Sequence, residues 1–222
     1  MKKILILGSD KKLNSEISEI LNTKFEIVDA SEKKPDHIIE STIYDEEIKF
    51  KNLSLIGSRF GESIPVLSCS NVITLREQYL SSDLKKNLIG ISFYNGFSNG
   101  KGIEISSTEH TDETVLKNAV TIFENLKNVH FVTDRTGMIA LRIICLIINE
   151  AFLVKQEGTS TEEDINTAMK LGTNYPFGPF EWCEKIGIDV IYKLLLKLHK
   201  DLGDDRYRMT PLLREMYLNS KL

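Results

Sequence analysis

Asn174-Tyr-Pro-Phe-Gly-Pro-Phe-Glu-Trp182 is the stretch on which the reading of the whole chain turns. Pro176, Gly178 and Pro179 crowd together there, and no helix runs through two prolines so placed, because each removes a backbone donor and clashes with the preceding turn. Pro179 suits the first position of a new helix, where a missing N–H has no intrahelical partner to lose. The stretch is therefore a joint between helices. On its N-terminal side Met138–Glu157 is strongly helical and apolar around most of its circumference, the pattern of a helix buried within a helical domain. On its C-terminal side Ile188–Leu202 has helical spacing. Between the two, Gly158 stops the first helix, Ser160-Thr-Glu-Glu163 reads as a capping box opening the next, and Gly172 closes it.

Toward the N-terminus the pattern changes to strands. Lys3-Ile-Leu-Ile-Leu7 is an apolar run ending at Gly8, Leu13–Leu21 has helical spacing, and Phe25-Glu-Ile-Val28 reads as a second strand ending at Asp29. Strand, glycine turn, helix, strand and acid form the opening of a dinucleotide-binding fold. Asp29 stands 21 residues after Gly8, close to the ~20-residue offset at which such a carboxylate meets a cofactor ribose. The turn itself departs from G-x-G-x-x-G, whose glycines let backbone approach a diphosphate and let the helix pack on the strand. Gly8-Ser-Asp-Lys-Lys-Leu13 carries side chains at both later glycine positions, and Asp10 brings a negative charge where a diphosphate would sit. Further strands are expected over Pro35–Ser41, Pro65–Ser68, Leu88–Asn95 and Val129–Thr133. Helices are expected over Asp45–Gly57, over Leu75–Leu80 with Thr74 as its cap, and over Asp112–Leu126 with acids in its first turn.

The composition, 41% hydrophobic and 27% charged over 222 residues, gives enough apolar material for a real core. A net charge of −4, from 28 basic and 32 acidic residues, argues against a nucleic-acid partner. The lysine pairs Lys11-Lys12, Lys33-Lys34 and Lys85-Lys86 read as solvated surface. Cys69, Cys145 and Cys183 have neither pairing nor metal-ligand spacing, so no metal site is expected and a reducing, cytoplasmic setting is. The greasiest segment, Met138–Val154, contains Arg142, Asn149 and Glu150 and is short for a membrane span.

Six motifs then agree in order and spacing: Asp134-Arg-Thr-Gly-Met138, Asn149-Glu-Ala151, Glu163-Asp-Ile165, Ala168-Met-Lys-Leu-Gly172, Pro176-Phe-Gly-Pro-Phe-Glu181 and Ile186-Gly-Ile-Asp189. Together they resemble the C-terminal domain of the 3-hydroxyacyl-CoA dehydrogenase family. The resemblance implies an α/β domain with a reduced Rossmann-like parallel sheet, residues 1–133, followed by an all-α dimerisation domain, residues 134–222. The family's long excursion between the second and third strands, which helps hold the CoA tail, is missing, since Asp29 leads almost at once to Pro35.

In the family a histidine takes the substrate's hydroxyl proton while hydride passes to NAD, a glutamate orients that histidine, and serine and asparagine groups bind the substrate oxygen. On this chain the histidine position falls on Ser92, the serine on Ile73 and the asparagine on Leu141, while the glutamate is kept as Glu104. Gly8 and Asp29 are what remains of the cofactor-binding pattern. The resemblance thus implies a non-catalytic member, a pseudoenzyme of fatty-acid and acyl-CoA metabolism serving as a binding or assembly partner. It would be a homodimer through the helical domain, with an acyl-CoA-type ligand, weak or lost NAD binding, and neither membrane nor nucleic acid as partner. The alternative is an active NAD-dependent oxidoreductase acting on 3-hydroxyacyl-CoA or a related hydroxy acid, with His110 or His130 as its base. His37 and His199 read as core or surface residues.

Overall fold

The computed structural model describes residues 1–32 and 34–222; Lys33, one of the paired lysines, lies outside the described residues. The chain divides into two compact units, Met1–Met138 and Ile139–Leu222.

The first unit is built on seven strands: β1 (Lys2–Leu7), β2 (Phe25–Val28), β3 (His37–Glu40), β4 (Val66–Cys69), β5 (Leu88–Ile91), β6 (Gly102–Ser107) and β7 (Asn128–Thr133). They form one sheet in the order β2-β1-β3-β4-β5-β6-β7, with every pairing parallel except β5 against β6. All residues of β3, β4 and β5 are buried, and none of the three alternates apolar with polar: a parallel sheet covered on both faces has no solvent side to alternate toward. The chain leaves β1 first toward β2 on one side and later returns to β3 on the other. Such a switch opens a crevice beyond the carboxyl ends of the strands.

The helices of this unit are α1 (Lys11–Leu21), α2 (Glu46–Phe60), α3 (Leu75–Gln78) and α4 (Glu113–Val120). Each starts on a side chain that accepts from an early backbone N–H: Asp10, Asp45, Thr74 and Asp112. Three elements stop short of what periodicity alone predicts. β5 ends at Ile91, because β6 pairs only with Gly90 and Ile91, and Gly96, at φ 91°, turns the chain away. α3 ends at Gln78, where the hydroxyls of Ser81 and Ser82 take its carbonyl. α4 ends at Val120, in a β-branched run where Thr121 Oγ1 donates to Asn118 O.

The second unit is all helix: α5 (Ala140–Gln156), α6 (Glu162–Thr173), α7 (Pro179–Ile186), α8 (Ile188–Leu202) and α9 (Pro211–Asn219). Gly158, at φ 72°, follows the end of α5. The opening of α6 falls one residue later than expected. Thr161, not Ser160, caps it, accepting from Asp164 N at 3.2 Å. Its left-handed terminator is Asn174 at φ 56°, while Gly172 stays helical. Pro179 opens α7 as the sequence predicts, and Gly178 N donates to Glu181 Oε2 at 2.8 Å. Asn149 on α5 clamps the approach to α9: its Nδ2 donates to Arg208 O and its Oδ1 accepts from Thr210 N, both at 3.0 Å. No helix among the described residues is long and apolar enough to cross a membrane.

Candidate functional site

The candidate residues of the first unit follow β1 (Gly8), β2 (Asp29), β4 (Ile73) and β5 (Ser92), or stand on β6 (Glu104). Ser92 stands one residue past β5, only 4% exposed. Its Oγ donates to Asn71 Oδ1 at 2.9 Å, and Asn71 Nδ2 donates to Phe93 O at 2.8 Å. Ser92 N donates to Glu104 O at 3.0 Å, which sets Glu104, 9% exposed on β6, directly across from it. Gly90 makes this closeness possible, since a Cβ there would stand 2.1 Å from Ser106 Oγ and 2.4 Å from Ser70 Oγ.

Ile73 is buried and presents only its backbone, whose carbonyl accepts from Gln78 Nε2 at 2.7 Å. The neighbouring hydroxyl of Thr74 caps α3 in a full capping box with Glu77, at 2.9 Å from Glu77 Oε2. Asp134 is fastened to the same helix: its carboxylate accepts from Leu75 N at 3.0 Å and Arg76 N at 3.3 Å. Burial pushes its pKa up, and those two backbone bonds oppose the rise. Leu141 belongs to the second unit, where it is fully buried on α5.

At the first βα turn Gly8 leaves room for the Ser41 hydroxyl, which a Cβ would meet at 2.0 Å. Asp10 caps α1 through Leu13 N at 3.0 Å, and its other oxygen accepts from Asn95 Nδ2 at 2.8 Å. Glu16, farther along α1, accepts from Gly96 N and Ser98 N at 2.8 Å each. Lys11 and Lys12 are exposed. Asp29 accepts from the hydroxyl and the backbone N–H of Ser31, which hold its pKa below the usual value.

The histidines lie apart in the sequence and differ in setting. His37 is buried on β3. His110 is exposed beside Glu109, with Nε2 3.7 Å from its carboxylate. His130 is exposed on β7 in register with Glu104, and His199 is exposed on α8. Sequence reading missed the fully buried pair of Lys49 and Glu40. Lys49 Nζ bonds Glu40 Oε2 and also donates to Ser68 Oγ at 3.0 Å and Cys69 O at 2.8 Å. It missed the contacts of Asp10 and Glu16 as well, since nothing local distinguishes these acids from ordinary helix-start and helix-face residues. Among the described residues no cluster of three or more His, Cys, Asp or Glu could hold a metal ion.

Residues 137–222 match the family model of the 3-hydroxyacyl-CoA dehydrogenase C-terminal domain. The 3-hydroxybutyryl-CoA dehydrogenase of Clostridioides difficile is 29% identical over 194 residues, 86% of this chain and 68% of that protein. The 3-hydroxybutyryl-CoA dehydrogenase of Bradyrhizobium diazoefficiens is 31% identical over 179 residues, 80% of this chain and 61% of that protein. The solved structure of (S)-3-hydroxybutyryl-CoA dehydrogenase from Ralstonia eutropha shares the fold with a TM-score of 0.81 at 22% identity, over 99% of this chain and 94% of the other. Residues 137–222 therefore carry a 3-hydroxyacyl-CoA dehydrogenase C-terminal domain, behind a reduced Rossmann-like sheet unit, and the fold is the one seen in the Ralstonia structure.

Proposed function

We propose that this chain serves acyl-CoA metabolism as a non-catalytic member of its family, binding or assembling rather than oxidising. The observation that carries this reading is Ser92. The family's reaction needs a base at that position that titrates near working pH. A serine hydroxyl does not, and that of Ser92 already donates its hydrogen bond to Asn71 Oδ1. Ile73 and Leu141, at the positions of the substrate-oxygen donors, offer only hydrocarbon and are buried. Loss of the base alone costs about 10²–10⁴ in rate, and loss of one oxygen-stabilising donor about 10²–10³ more.

The cofactor pattern fits in part. Gly8 supplies the tight turn and Asp29 an acid at the ribose offset. Asp10 does not fit, because its charge caps the helix end that a diphosphate would need. Weak or lost NAD binding follows from that reading, and the ligand class that family membership supports is an acyl-CoA-type compound.

The helical unit supplies the pairing surface in this proposal. Ile139 and Ile143, each about half exposed, continue into Leu146, Ile147 and Val154 along one side of α5. Leu146, Ile147 and Val154 border a mostly apolar hollow of about 350 Å³, with Glu150 beside them and Ile165 and Met169 of α6 opposite. Two such stripes brought together would bury each other.

The test is NADH formation from short- and medium-chain 3-hydroxyacyl-CoAs. No oxidation above background is expected. Turnover at about 1 s⁻¹, the low end of ordinary enzymes, would overturn the reading in favour of an active NAD-dependent oxidoreductase. Loss of that turnover in His110 or His130 variants would then identify the base.

A further inference from the structure

We propose that the crest of the first unit is filled by its own anions. Asp10 occupies the helix N-terminus that a diphosphate would take, and Glu16 occupies the backbone nest at Gly96–Ser98. This rests on the reading that the turn no longer serves NAD, and it goes further by naming the contacts that exclude the cofactor.

The first four N–H groups of a helix lack intrahelical partners and attract an anion. At α1 the Asp10 carboxylate takes one of these donors, Leu13 N, and Asn14 N makes the first intrahelical bond, to Asp10 O. The carboxylate is held from its other side by Asn95, which is only 7% exposed. Asn95 Oδ1 has no hydrogen-bond partner among the described residues, so this buried amide is committed to Asp10 through Nδ2. A charge-assisted bond of that kind is stronger than one between neutral groups.

The second seat is built by Gly96. Its left-handed φ of 91° turns Gly96 N and Ser98 N toward one point, and converging backbone N–H groups of this kind form an anion-binding nest. Glu16 fills it with one oxygen on each donor, at 2.8 Å. Asp10 and Glu16 lie on one helix and its cap, so α1 holds the segment that follows Ser92 at two points. The chain thereby provides for itself the negative charge that a dinucleotide-binding crest takes from its ligand, and a phosphate approaching either seat meets a carboxylate in place.

Calorimetry with inorganic pyrophosphate and with ADP-ribose tests the first seat, using wild type, Asp10→Gly and Asp10→Asn. Asparagine caps a helix as well as aspartate does, so the second variant removes charge without removing the cap, even where the glycine variant fails to fold. At least tenfold tighter binding of either probe is expected in the variants. Affinity equal to wild type in both overturns the proposal for Asp10. Amide exchange tests the second seat: Gly96 and Ser98 should exchange at least tenfold faster in Glu16→Gln, and unchanged rates overturn the proposal for Glu16. These results stand apart from the catalytic assay. A wild type without turnover and variants without gain sink this proposal alone, whereas wild-type turnover sinks the non-catalytic reading first.

Discussion

His37 shows how a single side chain sets a condition on the whole first unit. It is 3% exposed on β3, Phe25 meets its ring edge-on at 6.4 Å, and neither ring nitrogen has a hydrogen-bond partner among the described residues. Burial lowers its pKa from 6.5 to about 4; the charge of Lys2 adds to the fall and Asp36 opposes it. The folded chain keeps this imidazole neutral over a range in which the unfolded chain takes up a proton. The unfolded state therefore binds more protons between those two values, and stability falls as pH drops through that window, by roughly 3 kcal/mol in all. Urea unfolding at about pH 7, 5.5 and 4.5 should show the decline, and His37→Phe should flatten it. Equal pH slopes for the two proteins would remove His37 as the cause.

At the scale of elements, the joint between α6 and α7 depends on one missing methyl group. A Cβ on Gly178 would stand 2.3 Å from Asn166 Oδ1 and 2.5 Å from Asn166 Cα. The second atom is backbone and cannot swing aside. That same Asn166 Oδ1 accepts from Phe180 N at 3.0 Å, closing the start of α7 from the neighbouring helix. Gly178→Ala should therefore cost about 1–3 kcal/mol through overpacking, with about 1 kcal/mol more if the Phe180 bond is lost. Gly172→Ala is the control: nothing stands within 4 Å of a Cβ there and the residue is helical, so a gain of up to about 1 kcal/mol is expected. Urea midpoints at constant m-value decide both. A destabilised Gly172→Ala would mean that this glycine, not Asn174, ends the helix.

For the whole molecule the prediction concerns assembly. The helical unit, Ile139–Leu222, is small for a self-sufficient core, and α5 carries its apolar stripe to the surface. Light scattering at tens of micromolar should give twice the chain mass. Ile143→Glu, which sets a charge between Ile139 and Ile147 on the stripe, should shift the population toward monomer without loss of helical circular dichroism. A wild type that stays monomeric at those concentrations would end the pairing proposal, and a dimer indifferent to Ile143→Glu would place the contact on another face.

Local grammar carried much of the architecture. Caps, prolines and left-handed glycines act within three or four residues, so the starts of α2, α4 and α7 and the stop at Gly158 could be read without a structure. Apolar runs ending in glycine or an acid marked β1 and β2 for the same reason. Where two neighbours compete for one role, as Ser160 with Thr161 or Gly172 with Asn174, the local rule allows either and packing chooses. Lys49 lies fully buried because β3 brings Glu40, and β4 brings Ser68, within reach of its ammonium, partners that no local pattern announces. In the same way Ser92 and Asn71 meet only because β4 and β5 are neighbours in the sheet. Asp10 finds Asn95 across 85 residues of chain. The sequence determined where elements begin and which face of each is apolar, since those depend on neighbours along the chain. The partners of its buried polar groups were decided by strand order and helix packing, because hydrogen bonds and ion pairs act over a few ångströms of space whatever their separation in sequence.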